Sequence, residues 1–392
     1  MHPTSQAPLQ PEQRFLLLCL RALWDPQSLP AARDLAGREP FDWPALLRLS
    51  GSESLSPLLF HVVRDKGVVP EAVERALRGA YYGLAARNAL LLRERERILR
   101  ALAALGVPVL LLKGAALVET AYPNPALRPM VDLDLLVPPV QARAAQGAFA
   151  GLGYGAATGD PWPGFSWRYR NAMAFVRPYE RGFPFYLGLH TRLYDVPFYE
   201  RIPVSDWFAR GLALPAECWG ALAPAAEDHV VYLCGHLALH HRYEPALMRY
   251  LDIALLVHRA GGTVDWPSVA ARAADWRLVI PVQRTLARVE QTWPGVVPPA
   301  ASAQVAQLRA TRAERWVHDW VLEHDRTPAS DMLLALATLP GLGRRARMLL
   351  ELAIPSPDYM RQRYCPDHPG AWPLAYLRRG GLALRYLVRR SR

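Results

Sequence analysis

The stretch Val107-Pro-Val-Leu-Leu-Leu-Lys113-Gly114, followed by Ala115-Ala-Leu-Val-Glu-Thr, decides the fold of this chain. Its apolar run from Val109 to Leu112 is long enough for one buried strand. Lys113 and Gly114 end that run, and the residues after them are good helix formers. The sequence therefore predicts a strand, a tight glycine turn and a helix N-terminus. The unpaired N–H groups and positive dipole end of such a junction suit a phosphate.

A second strand is predicted in Arg128-Pro-Met-Val-Asp132-Leu-Asp134-Leu-Leu-Val137. Because side chains alternate along a strand, the carboxylates of Asp132 and Asp134 would share one face. Two converging carboxylates repel each other unless a cation lies between them. Mg²⁺, or Mn²⁺ in its place, with a nucleotide's phosphates is the usual partner. We therefore predict Asp132 and Asp134 as metal ligands.

These two stretches, with Tyr122-Pro between them, resemble the uncharacterised bacterial nucleotidyltransferase family of the polymerase-β-type nucleotidyltransferase superfamily. The resemblance continues at Leu187-Gly-Leu-His190, from Glu227 to His241 and at Tyr250-Leu-Asp-Ile-Ala-Leu-Leu, and covers roughly residues 85–300. It implies Mg-dependent transfer of a nucleoside monophosphate from an NTP such as ATP, with release of pyrophosphate. The acceptor would be a hydroxyl or similar group of a small molecule, sugar or peptide.

The resemblance also implies roles for individual residues. Lys113 and the N–H groups after Gly114 would hold the β- and γ-phosphates, and Arg128 would contact a phosphate or support the loop. His190 would share the face of the catalytic carboxylates, as either a site residue or a structural histidine. Asp252, inside an apolar helix, needs a partner, which Arg242, Arg249 or a histidine could supply. It is either a structural ion pair or a catalytic base or substrate contact.

One position departs from the family pattern. Gly188 stands where the family usually has a third acidic residue, which in this superfamily helps to bind metal or to activate the attacking hydroxyl. Its absence affects catalysis more than nucleotide binding. The alternative hypothesis is therefore a catalytically impaired scaffold or sensor that binds nucleotide.

Composition narrows the classes of function. The 392 residues carry a net charge of +11, but nearly all basic residues are arginines spread along the chain, so we do not expect a nucleic-acid partner. No apolar run reaches the roughly 18–20 residues of a membrane span, and no signal peptide is visible. The four cysteines are far apart in sequence, as in proteins of a reducing compartment. We expect a cytoplasmic protein.

We predict an α+β fold, in which a small mixed sheet is flanked by N-terminal helices and a C-terminal helical domain. The predicted units are an N-terminal helical region (1–85), the nucleotidyltransferase-like core (86–215), a helical domain lining the cleft (216–300) and a C-terminal helical region (301–392). Within them we expect a hairpin of 172–177 with 183–193 and one amphipathic helix over 303–322. The alternating charges of 93–97 predict a solvated helix face.

Two further features have open interpretations. His236 and His240 are spaced as zinc ligands can be, but no glutamate follows His236, so lining of the cleft is the alternative. The end of the chain, 371–392, mixes apolar residues with arginines and could lie on an anionic membrane. Gly380 and Gly381 interrupt that pattern and favour a helix packed on the protein. A membrane-surface accessory protein is the third hypothesis.

Overall fold

The computed structural model describes residues 9–38, 40–178, 183–325, 327–365, 370, 372–377 and 379. The first part of the chain is helical, as predicted, and precedes the first strand. Its helices are α1 (Pro11–Arg21), α2 (Ser28–Arg38), α3 (Trp43–Ser52), α4 (Ser56–Val63) and α5 (Glu71–Ala104).

The middle of the chain contains all the strands that the structure describes. In order, its elements are β1 (Leu110–Leu112), α6 (Lys113–Thr120), β2 (Asp132–Leu136), α7 (Ala142–Gly151), β3 (Gly155–Ala156), α8 (Phe165–Tyr169), β4 (Ala172–Arg177), β5 (Phe185–His190), α9 (Val204–Arg210), β6 (Leu212–Ala213) and β7 (Leu222–Ala223). The predicted strand–turn–helix junction and the Asp-x-Asp strand are both confirmed.

The strands form one mixed sheet in the order β3-β4-β5-β2-β1-β7-β6. β2 lies parallel to β5 and antiparallel to β1, and this register places Asp134 between Gly188 on one side and Leu112 on the other. β4 and β5 form the predicted antiparallel hairpin. Its turn, 179–182, lies outside the described residues. The register therefore brings the Lys113 junction, the two carboxylates and Gly188 together.

The described residues after β7 are mainly helical. Their elements are α10 (Ala226–Leu239), α11 (Leu247–Arg259), α12 (Trp266–Asp275), α13 (Val279–Thr292), α14 (Pro299–Gln307), α15 (Arg312–Glu323), α16 (Pro328–Thr338), α17 (Leu342–Ala353) and α18 (Pro357–Tyr364), with residues 372–377 also helical. None of the helices in the described ranges is both long and apolar enough to cross a membrane. The predicted tail helix 371–392 lies largely outside those ranges.

The single helix predicted over 303–322 is wrong, because two helices occupy this stretch. α14 ends at Gln307, and the side chain of Thr311 then accepts a hydrogen bond from the backbone N–H of Glu314 at 3.1 Å. A threonine in this N-cap role satisfies an unpaired donor and starts a new helix. Apolar periodicity continues across the break, which explains why the pattern predicts one helix.

Each face of the sheet packs on its own apolar core. One core joins the N-terminal helices, α10 to α14, and the β1 and β2 side chains Leu110, Leu112 and Leu136. The other joins α5 and α7 to Leu111, Leu133 and Leu135 on the opposite face. The helices at the start of the chain and α10 to α14 therefore share a core. The predicted α+β class, with a mixed sheet and flanking helical regions, is confirmed, while the bounds of the four predicted units stay a prediction.

The predicted solvated face at 93–97 is wrong for Glu94 and Arg95 of α5, which are buried, whereas Arg93 and Glu96 are exposed. Glu94 accepts hydrogen bonds from Tyr154 at 2.9 Å and from the Arg177 side chain at 2.6 Å. Arg95 donates to Glu119 of α6 at 2.6 Å. Buried charges persist when paired and hydrogen-bonded. These pairs fix α5 against β4 and α6 beneath the sheet.

Candidate functional site

The junction between β1 and α6 is built on a left-handed residue. Lys113 has φ of +48°, a conformation that non-glycine residues rarely adopt and that is concentrated at functional sites. The sequence predicts a turn made by glycine, but the residue in the left-handed conformation is Lys113. Gly114 is needed for a different reason, because a Cβ there would collide with the guanidinium of Arg128. Lys113 is the first residue of α6, and its side chain reaches Asp134 of β2.

Asp134 is the centre of the site. One of its oxygens, Oδ2, lies 3.0 Å from Lys113 Nζ, and the other, Oδ1, lies 2.7 Å from His190 Nε2. The carboxylate is buried, which opposes its ionisation, but Lys113 and the hydrogen bond from His190 outweigh this and lower its pKa well below the usual value. Burial likewise opposes the charge on Lys113, yet Asp134 outweighs it and raises the lysine pKa. Asp134 is thus an ionised carboxylate with a fixed positive neighbour.

Asp132 lies two residues earlier on the same face and differs in its environment. Its side chain is exposed at the wall of a cavity, and no described residue forms an ion pair or hydrogen bond with it. Desolvation at this wall and the negative charge of Asp134 raise the pKa of Asp132. An uncompensated carboxylate next to a second one is a place where a cation is stabilised.

Gly188 lies opposite Asp134 in the β2–β5 register and has no room for a side chain. A Cβ built on it would lie 2.5 Å from Asp134 Oδ1 and 3.1 Å from His190 Nε2. The hydrogen bond between Asp134 and His190 passes over this glycine. His190 therefore fills the region in which a third acidic side chain would lie, and it holds Asp134 in place.

The two carboxylates, Lys113 and His190 line a cavity of about 470 Å³ between the sheet and α10. On the α10 side, the stacked imidazoles of His236 and His240 face them, with ring centroids 4.9 Å apart. Burial, and then the charge of Lys113, lower the pKa of His236 well below its usual value, so its imidazole is neutral at neutral pH. Among the residues that the structure describes, no three His, Cys, Asp or Glu side chains form a metal-binding group.

Asp252 and Arg128 form a separate, closed cluster. Asp252 accepts hydrogen bonds from Arg128 Nε at 2.9 Å, from Arg128 Nη2 at 2.8 Å and from the Tyr122 hydroxyl at 2.7 Å. The partners predicted for Asp252 are therefore wrong, since Arg249 pairs with Glu244 instead. Asp252 is buried, and it is not part of the cavity wall. Its bidentate pair with Arg128 braces the loop beside Gly114.

One residue of the cavity wall was missed by the sequence argument. Asn171 directly precedes β4, and its side-chain amide lies 3.5 Å from His190 Nδ1 and donates to the Leu193 carbonyl at 3.3 Å. It supports the ring of His190 on the side away from Asp134. The only signal in the sequence is a polar residue at the start of a hairpin strand, which is common in proteins of every class.

The mixed sheet presents two carboxylates from one strand to a lysine-bearing strand–helix junction, which is the arrangement that the resemblance to nucleotidyltransferases predicts. A family model described as uncharacterised nucleotidyltransferase matches residues 39–294, more than half of the chain, and the chain belongs to this family. The predicted nucleotidyltransferase family is confirmed, while its bacterial origin and its superfamily stay predictions. The match begins earlier than the resemblance, within the N-terminal helices. A comparison with curated proteins finds no match.

Proposed function

We propose that the chain is a Mg-dependent nucleotidyltransferase that moves a nucleoside monophosphate from an NTP to a hydroxyl or similar group of a small-molecule, sugar or peptide acceptor. The observation that supports this most strongly is the cleft geometry. Asp132 and Asp134 share a face of β2 and line a cavity of about 470 Å³, with Lys113 Nζ 3.0 Å from Asp134. This set combines acidic oxygens with one compact cation at a helix start.

The carboxylates fit one divalent cation. Asp132 has no partner among the described residues, and each oxygen of Asp134 has one partner and so retains a lone pair. Asp132 and Asp134 would hold Mg²⁺, which would supply positive charge against the negative charge that develops during transfer. Two carboxylates are fewer ligands than Mg²⁺ usually takes, so we propose that the metal enters with the nucleotide.

The remaining residues have supporting roles in this proposal. Lys113 exchanges part of its contact with Asp134 for the β- and γ-phosphates, which the N–H groups at the start of α6 also bind. His190 orients Asp134, while Asp252 and Arg128 hold the loop beside Gly114 in place. His236, which lines the cavity opposite the carboxylates, is the candidate group to take the proton of the acceptor hydroxyl.

A second candidate is a scaffold or sensor that binds nucleotide without transferring it. It is favoured by the contact over Gly188, where the Asp134–His190 hydrogen bond takes the space that an acidic side chain would need. Without that carboxylate, one source of activation of the acceptor is missing. Nucleotide binding depends on Lys113 and the two aspartates, so it would persist.

The test is thermal unfolding of the full chain with each of the four NTPs and Mg²⁺. A ligand at about 100 times its dissociation constant should raise the free energy of unfolding by about 2.7 kcal/mol. We expect this stabilisation in the wild type and its loss in the Asp132→Asn/Asp134→Asn variant. Absence of stabilisation by any NTP in a folded sample would contradict both candidates.

Pyrophosphate release separates the two candidates. Nucleotide-dependent stabilisation together with metal-dependent pyrophosphate release in the presence of an acceptor supports the transferase. Stabilisation without any release, across acceptors that include hydroxylated small molecules, sugars and peptides, supports the scaffold or sensor.

A further inference from the structure

A second cavity, of about 760 Å³, lies between α8 and the helices α15, α16 and α17. This volume is within the range of pockets that bind small molecules. Its wall is largely apolar and includes Phe165, Tyr169, Trp320, Leu334, Met348 and Leu352. Phe165, Tyr169 and Met348 belong to a small apolar cluster of their own. Three of the four helices follow residue 294, where the family match ends, so this cavity is largely built outside the matched region.

The second cavity adjoins the nucleotide cleft. Arg170, Asp195, Val196 and Leu239 line both cavities, so the two spaces share a common boundary. The nucleotide cleft has Asp132 and Asp134 in its wall, and the second cavity begins beyond this boundary. A molecule seated among the helices could therefore extend one end toward the two carboxylates.

Unpaired positive charge lies at the boundary, on Arg170, and in the wall of the second cavity, on Arg242. Arg170 is exposed and Arg242 is half-buried, and neither guanidinium forms a hydrogen bond or ion pair with any residue that the structure describes. The nearby carboxylate of Asp195 accepts a backbone hydrogen bond from Asn171 at 3.2 Å. Two guanidiniums beside an apolar cavity favour a ligand with an anionic group, which each of them can bind through a forked pair of hydrogen bonds.

We propose that the second cavity binds the acceptor, and that the acceptor is an amphipathic anion. Its apolar body lies among α8, α15, α16 and α17, its anionic group lies at Arg170 and Arg242, and its hydroxyl reaches the nucleotide cleft. This inference rests on the proposed function. In the transfer, the acceptor oxygen forms a bond to the α-phosphorus, the bond from the α-phosphorus to the bridging oxygen breaks, and pyrophosphate leaves. The hydroxyl proton passes to a base in the cleft.

The test uses the full chain without nucleotide, and the probe is the fluorescent amphipathic anion 1-anilinonaphthalene-8-sulfonate. Ala335 of α16 lines the cavity, whereas Ala337 of the same helix is exposed and is not part of its wall. We expect saturable binding to the wild type. Ala335→Trp, which fills the cavity, should weaken binding at least tenfold, and the matched control Ala337→Trp should leave it unchanged.

Competition tests the anionic group. Decanoate should displace the probe at least tenfold more effectively than decanol, and Arg242→Gln should reduce that preference. Equal competition by the two ligands would overturn the anionic class. Absence of saturable binding, or equal binding by the two tryptophan variants, would overturn the cavity as an acceptor site. Because the assay contains no nucleotide, a failure of the proposed function is seen separately, as missing stabilisation by Mg–NTP.

Discussion

Asp134 and Asp252 are both buried carboxylates held by one cation and one further donor, yet they serve different purposes. Asp134 contacts Lys113 and His190 at the wall of a cavity, next to the unpartnered carboxylate of Asp132. Asp252 contacts Arg128 and Tyr122, and its contacts use both of its oxygens in a closed environment. The two carboxylates also differ in the residue that supplies the positive charge, which is a lysine for Asp134 and an arginine for Asp252. A lysine ammonium can turn toward a phosphate, whereas the bidentate arginine pair is fixed.

The difference separates the carboxylate that we propose as a metal ligand from the one that positions a loop. An ion pair by itself does not distinguish the two carboxylates, because both clusters contain one. Two features distinguish the cleft cluster. The first is the neighbouring carboxylate of Asp132, whose pKa is raised by desolvation and by the charge of Asp134. The second is the strained backbone of Lys113. The closed cluster has neither feature and serves to position the loop.

The largest effect is expected from Asp252→Ala. This change leaves the buried Arg128 guanidinium without its partner and should lower the free energy of unfolding by about 3–5 kcal/mol. Asp134→Asn should cost less, because the side chain of Lys113 is 22% exposed and can reach water in the cavity. Urea denaturation measures both. Replacing Arg128 and Asp252 together by leucine should recover part of the loss, and a larger loss in Asp134→Asn would reverse the comparison.

The charge of Arg128 in the closed cluster also affects how stability depends on pH, because it acts on the buried His229. Burial, and then the charge of Arg128, lower the pKa of His229 to about 3, and neither ring nitrogen has a hydrogen-bond partner among the residues that the structure describes. The unfolded chain binds a proton at this histidine below its ordinary pKa of about 6.5, while the fold does not. Stability should therefore fall by about 1.4 kcal/mol per pH unit from 6.5 down to about 3. His229→Leu should remove this part of the slope in urea titrations, and an unchanged slope would contradict the account.

Gly188→Ala should destabilise the cleft cluster by about 1–3 kcal/mol, because the added Cβ would displace Asp134 or His190. Gly188→Asp should do the same and should give no gain of activity, since the carboxylate has no space. The matched control is Gly147→Ala in α7, where a Cβ meets nothing within 4 Å and should be neutral or stabilising by up to about 1 kcal/mol. Thermal unfolding compares them. A gain of pyrophosphate release in Gly188→Asp would show that the missing carboxylate can be restored.

The smallest expected effect has the opposite sign. Asp132→Asn removes a carboxylate whose pKa is raised, so its charge destabilises the folded state at neutral pH. The side chain is exposed, so the gain in the free energy of unfolding should be only a few tenths of a kcal/mol. The same variant should lose stabilisation by Mg–NTP. A variant that is both less stable and still stabilised by Mg–NTP would show that Asp132 is structural.

The sequence allowed prediction of the features that depend on local patterns. The apolar run before Lys113, the alternation at Asp132 and Asp134, and the hairpin of β4 and β5 all follow from spacing of two residues or from a short run. The cleft and the family could therefore be predicted from the sequence.

The features that were missed depend on contacts distant in sequence. Arg128, the actual partner of Asp252, lies more than a hundred residues before it, whereas the predicted Arg249 lies three residues away. The buried state of Glu94 depends on Tyr154 and Arg177, which the alternating charges of α5 cannot indicate. The second cavity needs four helices to meet, and none of them has a recognisable motif. The local pattern identifies the chemistry, and the tertiary contacts decide which groups remain free to perform it.

The central claim is that Asp132 and Asp134, unlike Asp252, form a metal–nucleotide site. The most direct measurement is isothermal titration calorimetry of the wild type and of Asp132→Asn/Asp134→Asn with an NTP that stabilises the fold, with and without Mg²⁺. We expect Mg²⁺ to tighten nucleotide binding at least tenfold in the wild type and to have no effect in the double variant. Equal affinity with and without Mg²⁺ in the wild type, or the same gain in the double variant, would contradict the account.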